Sequence, residues 1–84
     1  MKRKILVVDD HALAREGLRA ILARTPDLEV IGEAATGEDA VALSADLSPD
    51  LVLMDIRLGP GMDGLAAAAP VRKLARPPSV SMLT

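Results

Sequence analysis

Apolar residues fall along the chain in short blocks of two kinds. Ile5–Val8 is a continuous aliphatic run, rich in β-branched residues, that meets Asp9 and Asp10 directly. Such a run suits a strand covered on both faces, as in a parallel sheet. The stretch "HALAREGLRAILART" then places Leu13, Leu18, Ile21 and Leu22 near helical spacing with charges between them, and Pro26 ends it. Leu28–Ala34 alternates weakly and predicts a second strand. Thr36-Gly-Glu-Asp39 reads as a capping box opening a helix to about Leu47, with Pro49 as the stop. Asp50–Asp55, "DLVLMD", predicts a third buried strand. "IRLGPGMDG" is too rich in glycine and proline for anything but a loop. "LAAAAPVRKLAR" is helical in pattern but contains Pro70, so the helix either kinks there or begins there. Ser79–Thr84 predicts a fourth strand.

Strands that alternate with helices predict βαβ units, a parallel sheet and helices on both of its faces. Right-handed crossovers restrict the topology. In open sheets of this kind, sites form beyond the carboxyl ends of the strands where strand order reverses. Asp9 and Asp10 end the first strand, Asp55 the third and Thr84 the fourth. With the first and third strands as neighbours, three carboxylates meet at one rim.

Carboxylates brought together repel one another, and a divalent cation resolves that repulsion. Mg2+ takes oxygen ligands and is commonly held by one or two carboxylates plus phosphate oxygens. A carboxylate beside such an ion is a competent nucleophile towards phosphorus, giving an aspartyl phosphate. A hydroxyl at the Thr84 position would hydrogen-bond the phosphoryl oxygens. A single strand-end Asp, by contrast, is usually a cap or a turn former; the adjacency of two and the placement of the third favour a shared ionic site.

Composition narrows the alternatives. The 84 residues make one small domain, half of them hydrophobic, with no Phe, Tyr or Trp, so the core is built from Ala, Val, Leu, Ile and Met. A net charge of −2 gives no basic face for nucleic acid. The absence of cysteine excludes disulfides and thiolate zinc sites, and one histidine is too few for a histidine-based metal site. The apolar run near the start is too short for a signal peptide or a membrane span, so the expectation is a soluble cytoplasmic protein without membrane contact. Neither a dinucleotide glycine motif nor a P-loop lysine occurs.

The segments "ILVVDDHALAREGL", "VIGEAATGEDAV", "PDLVLMDIRLGPGMDG" and "SVSMLT" together resemble the receiver domain of two-component response regulators, closest in flavour to the NarL/FixJ type. The resemblance covers nearly the whole chain. It implies a flavodoxin-like (CheY-like) doubly wound α/β fold with strand order 2-1-3-4 over the strands present. It implies Asp55 as phospho-acceptor, Asp10 as a direct Mg2+ ligand, Asp9 as the second acid of the pair, the backbone carbonyl of Arg57 as a further ligand, and Thr84 as the switch hydroxyl. The donor would be a phosphohistidine of a sensor histidine kinase or a small acyl phosphate, with Ala12–Leu22 as the docking helix. On this reading the chain is a phosphoryl acceptor rather than an enzyme. Haloacid-dehalogenase phosphatases also use an aspartyl nucleophile, but as D-x-D; the adjacent pair in "VVDDH" does not match.

Other residues carry plainer expectations. His11 reads as a solvated first helical turn, Met54 as core filler, Met62 as structural, Asp63 as the cap of the third helix, Gly61 and Gly64 as backbone devices, and Lys73 and Arg76 as a solvated face. Three departures from the family pattern stand out. The loop carries an extra Gly59, which would shift the Arg57 carbonyl. Pro70 interrupts the third helix, at a cost of about 3 kcal/mol if internal. Finally, the sequence ends at the fourth strand, so residues 1–84 are expected to be an incomplete receiver without helix 4, strand 5 and its lysine, helix 5 or a DNA-binding output domain. An open fourth-strand edge would invite self-association. The competing expectation is therefore a non-phosphorylated interaction module that binds a kinase or a sister chain.

Overall fold

The computed structural model describes residues 2–83. Seven elements alternate along the chain: β1 (Arg3–Val8), α1 (Ala12–Ala23), β2 (Leu28–Ala34), α2 (Gly37–Leu47), β3 (Leu51–Asp55), α3 (Gly64–Arg72) and β4 (Ser79–Leu83). The four strands form one sheet in the order β2-β1-β3-β4, all neighbours parallel. The class is the one the alternating pattern predicts, and the order is the one the receiver resemblance implies. Among the described residues no helix is long and apolar enough to cross a membrane.

β1 and β3 are the inner strands, and their sequences show it. Ile5, Leu6, Val7 and Val8 are all fully buried, as are Val52 and Met54. Apolar residues on both faces of β1 are what a central parallel strand requires. Leu6, Val8, Val52 and Met54 pack on Ala34, Ala40, Leu58, Ala67, Ala68 and Val71, so the core under α2 and α3 is made largely of small side chains. Alanines let these two helices lie close to the sheet, which is how a chain without aromatics fills its interior. One irregularity interrupts the ladder: the β1–β2 register passes from Ile5↔Val30 to Leu6↔Gly32, leaving Ile31 as an extra residue in the edge strand.

Two helix starts are fixed by side chains. Thr36 accepts a hydrogen bond from the Asp39 N–H at 3.1 Å and opens α2. Asp63 accepts from the Ala66 N–H at 2.7 Å and opens α3, as its sequence position predicts. Pro70 lies inside the helix and not at its start, so of the two expectations the late start is the one that fails: α3 begins at Gly64 and runs through Pro70 to Arg72. The proline falls near the helix end, and the chain then leaves by shorter bonds, Lys73 N–H to Pro70 C=O at 3.2 Å and Leu74 N–H to Val71 C=O at 3.3 Å. Lys73 and Arg76 are exposed, as expected of a solvated face.

Candidate functional site

The acidic rim assembles at the carboxyl ends of β1 and β3, which are adjacent in the sheet with Val8 opposite Met54. Asp9 follows β1 directly and is held by its main chain. Its N–H donates to the Ala34 carbonyl of β2 at 3.0 Å, and its own carbonyl accepts from Arg15 Nη1 at 2.5 Å. The side chain is buried, and Oδ1 accepts the backbone N–H of His11 at 2.9 Å. Asp10 is more exposed and turns its carboxylate towards the same space. Asp55 is the last residue of β3, and its Oδ1 accepts the Arg57 N–H at 3.0 Å. That bond orients the carboxylate and leaves the second oxygen available.

Asp9, Asp10, His11 and Asp55 each present one ligand atom within 4.8 Å of the others. His11 stands at the N-cap of α1 without making a side-chain cap. Its Nδ1 lies 2.9 Å from Asp10 Oδ1 and 3.2 Å from Asp9 Oδ1. The solvated-turn expectation for His11 is therefore incomplete: the imidazole is largely exposed, yet it is directed onto the acids. The signal was available in the sequence, since a residue directly after two strand-end acids has little choice but to lie over them. His11, Asp55, Ile56 and Arg57 line a cavity of about 440 Å³ open to solvent.

The β3–α3 loop closes one side of the rim. Leu58 is buried in the core and pins the loop. Gly59, the extra residue, lies against Asp10: a Cβ built there would sit 3.4 Å from Asp10 Oδ2, an ordinary contact. Gly61 adopts φ +101°, the left-handed region that favours glycine. At the next residue, the Met62 N–H donates to Glu38 Oε2 at 3.3 Å, tying the loop to the start of α2. Met62 packs on the core and Met54 lies within it, so both are structural as expected. The loop's end is tighter still. The Gly64 N–H donates to the Ile56 carbonyl at 3.0 Å, and the Gly64 Cα lies so near the Asp55 carbonyl that no side chain would fit. Thr84, the expected switch hydroxyl, lies outside the described residues.

The donor chemistry fits a hard divalent cation. Among the described residues, no lysine or arginine side chain forms an ion pair with Asp9, Asp10 or Asp55; Arg15 and Arg19 both go to Glu33 instead. Three carboxylates converging without a lysine or arginine partner are an oxygen-rich set of the kind that Mg2+ favours.

Comparison with known proteins agrees with this arrangement. The sequence model of the response regulator receiver domain matches residues 5–84. The chain belongs to that family, the receiver domains of two-component systems. It is 43% identical over 81 residues to the transcriptional regulatory protein LiaR of Bacillus subtilis, covering 96% of this chain and 38% of that protein. Among solved structures it superposes on the response regulator domain of Thermotoga maritima CheB with a TM-score of 0.92 at 38% identity, covering 98% of this chain and 60% of the other. The receiver domain of a NarL regulator from Mycobacterium tuberculosis matches with a TM-score of 0.89 at 41% identity, over 96% of this chain and 64% of the other. The receiver thus spans about two-fifths of the curated relatives it matches.

Proposed function

We propose that this receiver accepts a phosphoryl group on Asp55, with Mg2+ held by Asp9, Asp10, Asp55 and the backbone carbonyl of Arg57. The observation that carries the reading is the convergence of three carboxylates within 4.8 Å, without a lysine or arginine ion pair, at the adjacent carboxyl ends of β1 and β3. Bound Mg2+ would offset charge on the transferring group. The rest follows from the chain's own residues. The Arg57 N–H holds Asp55 Oδ1, and Asp55 lines the cavity, so its other oxygen is the one left for the transfer. That oxygen forms the new O–P bond while the P–N bond of a phosphohistidine breaks, and the departing imidazole nitrogen keeps the electron pair. With an acyl phosphate as donor, the P–O bond breaks and the carboxylate leaves. The chain acts as the acceptor in signalling and is not a turnover enzyme.

A sensor histidine kinase is the natural donor for a domain of this family. The face offered to it is α1, which has no buried residue and exposes Leu13 and Ile21. We further infer that the 84-residue chain self-associates through β4. That strand pairs with β3 alone among the described residues and exposes Ser79 and Ser81. Unpaired strand edges recruit strands.

The test of phosphoryl transfer is an intact mass spectrum after incubation with Mg2+ and a small acyl phosphate, beside Asp55→Asn. One phosphoryl mass gained by the parent alone supports the reading. Equal gain in the variant assigns the chemistry to another residue, and no gain in a folded parent defeats the proposal.

A further inference from the structure

The end of β1 is braced from outside the acidic rim. We propose that Arg15 is a positioning residue for the metal site: bonded to the Asp9 carbonyl and held by Glu33, it sets the peptide from which Asp9 and Asp10 project, and so raises the affinity of the rim for Mg2+. The inference rests on the metal-binding reading above and adds two residues that touch none of its ligand atoms.

Both main-chain groups of Asp9 are tied down. Its N–H donates to the Ala34 carbonyl at 3.0 Å, and its carbonyl accepts from Arg15 Nη1 at 2.5 Å. That carbonyl belongs to the peptide joining Asp9 to Asp10, so the bond fixes the plane from which the two acids diverge. Arg15 Nε lies 3.3 Å from Glu33 Oε1. One guanidinium thus reaches a carbonyl of the β1 end and a carboxylate of β2 with different nitrogens, a fork that a lysine ammonium does not offer. The Arg15 side chain is only 20% exposed. Arg19 also pairs with Glu33, but it is 57% exposed and its hydrogen bond goes to Glu33 and not to Asp9.

The bulge in β2 is what brings Glu33 to this face. Leu6 and Val8 enter the core under α2 and α3, so Ile5 and Val7, equally buried, point to the opposite face, which α1 covers. Beyond the extra residue Ile31, Glu33 stands opposite Val7. In the unbroken register begun by Ile5↔Val30, it would stand opposite Val8 instead, and a slip of one residue turns a side chain to the other face. Glu33 would then enter the apolar core, and Arg15 would lose its partner. Bulges next to functional sites re-aim side chains in this way. Because Glu33 answers its charge, Arg15 holds the carbonyl while forming no ion pair with the acids, which stay free for a cation.

Position and charge predict opposite signs. A positive side chain near a cation site repels the cation, so loss of the Arg15 charge by itself would tighten Mg2+ binding. Loss of a partner that orients the ligands weakens metal affinity by about ten- to a hundredfold.

The experiment titrates the 84-residue chain, labelled with 13C and 15N, with Mg2+ by calorimetry, and records the Asp9 carbonyl 13C resonance before metal is added. The parent is compared with Arg15→Ala, Arg15→Lys and Arg19→Ala, each checked for folding by circular dichroism. The expected result is a Mg2+ affinity about tenfold lower in both Arg15 variants, a shifted Asp9 carbonyl resonance in their metal-free forms, and a parent-like affinity in Arg19→Ala. An affinity unchanged or raised in Arg15→Ala overturns the proposal and leaves the metal site standing, and so does an equal loss in Arg19→Ala. Parent-like binding in Arg15→Lys overturns it too, whether or not Arg15→Ala folds. A parent that does not bind Mg2+ overturns the metal-binding reading itself, and the role of Arg15 with it.

Discussion

Two glycines in this chain should respond in opposite directions to the same substitution. Gly17 lies inside α1, and a Cβ built there meets nothing within 4 Å. Gly64 opens α3, and a Cβ there lies 3.0 Å from Ile56 Cα, 3.1 Å from the Asp55 carbonyl carbon, and closer still to its oxygen. All three are backbone atoms of the β3 end, so no side chain can rotate away. For Gly17→Ala, the helix gains roughly 0.5–1 kcal/mol from reduced unfolded-state freedom. For Gly64→Ala, the carbonyl and the helix start must separate, an overpacking cost of about 1–3 kcal/mol. A domain of this size has roughly 0.05–0.15 kcal/mol of stability per residue, so that cost is a large share of the total. At about 4–8 °C per kcal/mol, Gly17→Ala raises Tm by a few degrees and Gly64→Ala lowers it by roughly 10 °C. Without Phe, Tyr or Trp, intrinsic fluorescence is no probe, and thermal unfolding is followed by far-ultraviolet circular dichroism. A Gly64→Ala variant as stable as the parent, or both variants shifting in the same direction, would refute the argument that α3 is seated directly on the Asp55 carbonyl.

Asp63→Ala removes the 2.7 Å bond to the Ala66 N–H and should cost about 1 kcal/mol, read as a Tm lower by several degrees in the same assay. Self-association through β4 predicts a light-scattering mass above that of the 8.8 kDa monomer at micromolar concentration, reduced by a charge on the edge strand, Ser81→Lys; a clean monomer refutes it.

Much of the fold could be read from the chain because the local signals agree with one another. Ile5–Val8 and Leu51–Met54 are apolar on both faces, as inner parallel strands must be, and Thr36 and Asp63 stand where helix caps are needed. The acidic rim was legible because all three aspartates stand at strand ends, and the strand order that the receiver resemblance implies makes the first and third strands neighbours. What escaped reading depends on three-dimensional approach. Pro70 left a kink and a late start both open, since nothing local says that a helix opened at Asp63 will run past it. The tie between Glu38 and the Met62 N–H joins two segments with no shared pattern. The contact of Gly64 with Asp55 is a property of packing, which a glycine in a loop-like stretch does not reveal. The place of His11 over Asp9 and Asp10 follows from its position directly after them in the chain turn beyond β1, a signal that helical periodicity does not carry.

The strand order has a consequence for the chain as it is made. β1 is translated first but lies between β2 and β3, so synthesis supplies its two neighbours at very different times. Once α1 and β2 have emerged, one side of β1 is paired and the other still offers a row of unpaired backbone N–H and C=O groups, flanked by the apolar side chains of Ile5–Val8, to any strand nearby. Only when Leu51–Asp55 leaves the ribosome is that edge closed by its own chain. The same event delivers Asp55 to Asp9 and Asp10. The exposure of the β1 edge during biosynthesis therefore ends at the step that assembles the acidic rim, so an assembled rim marks an enclosed β1.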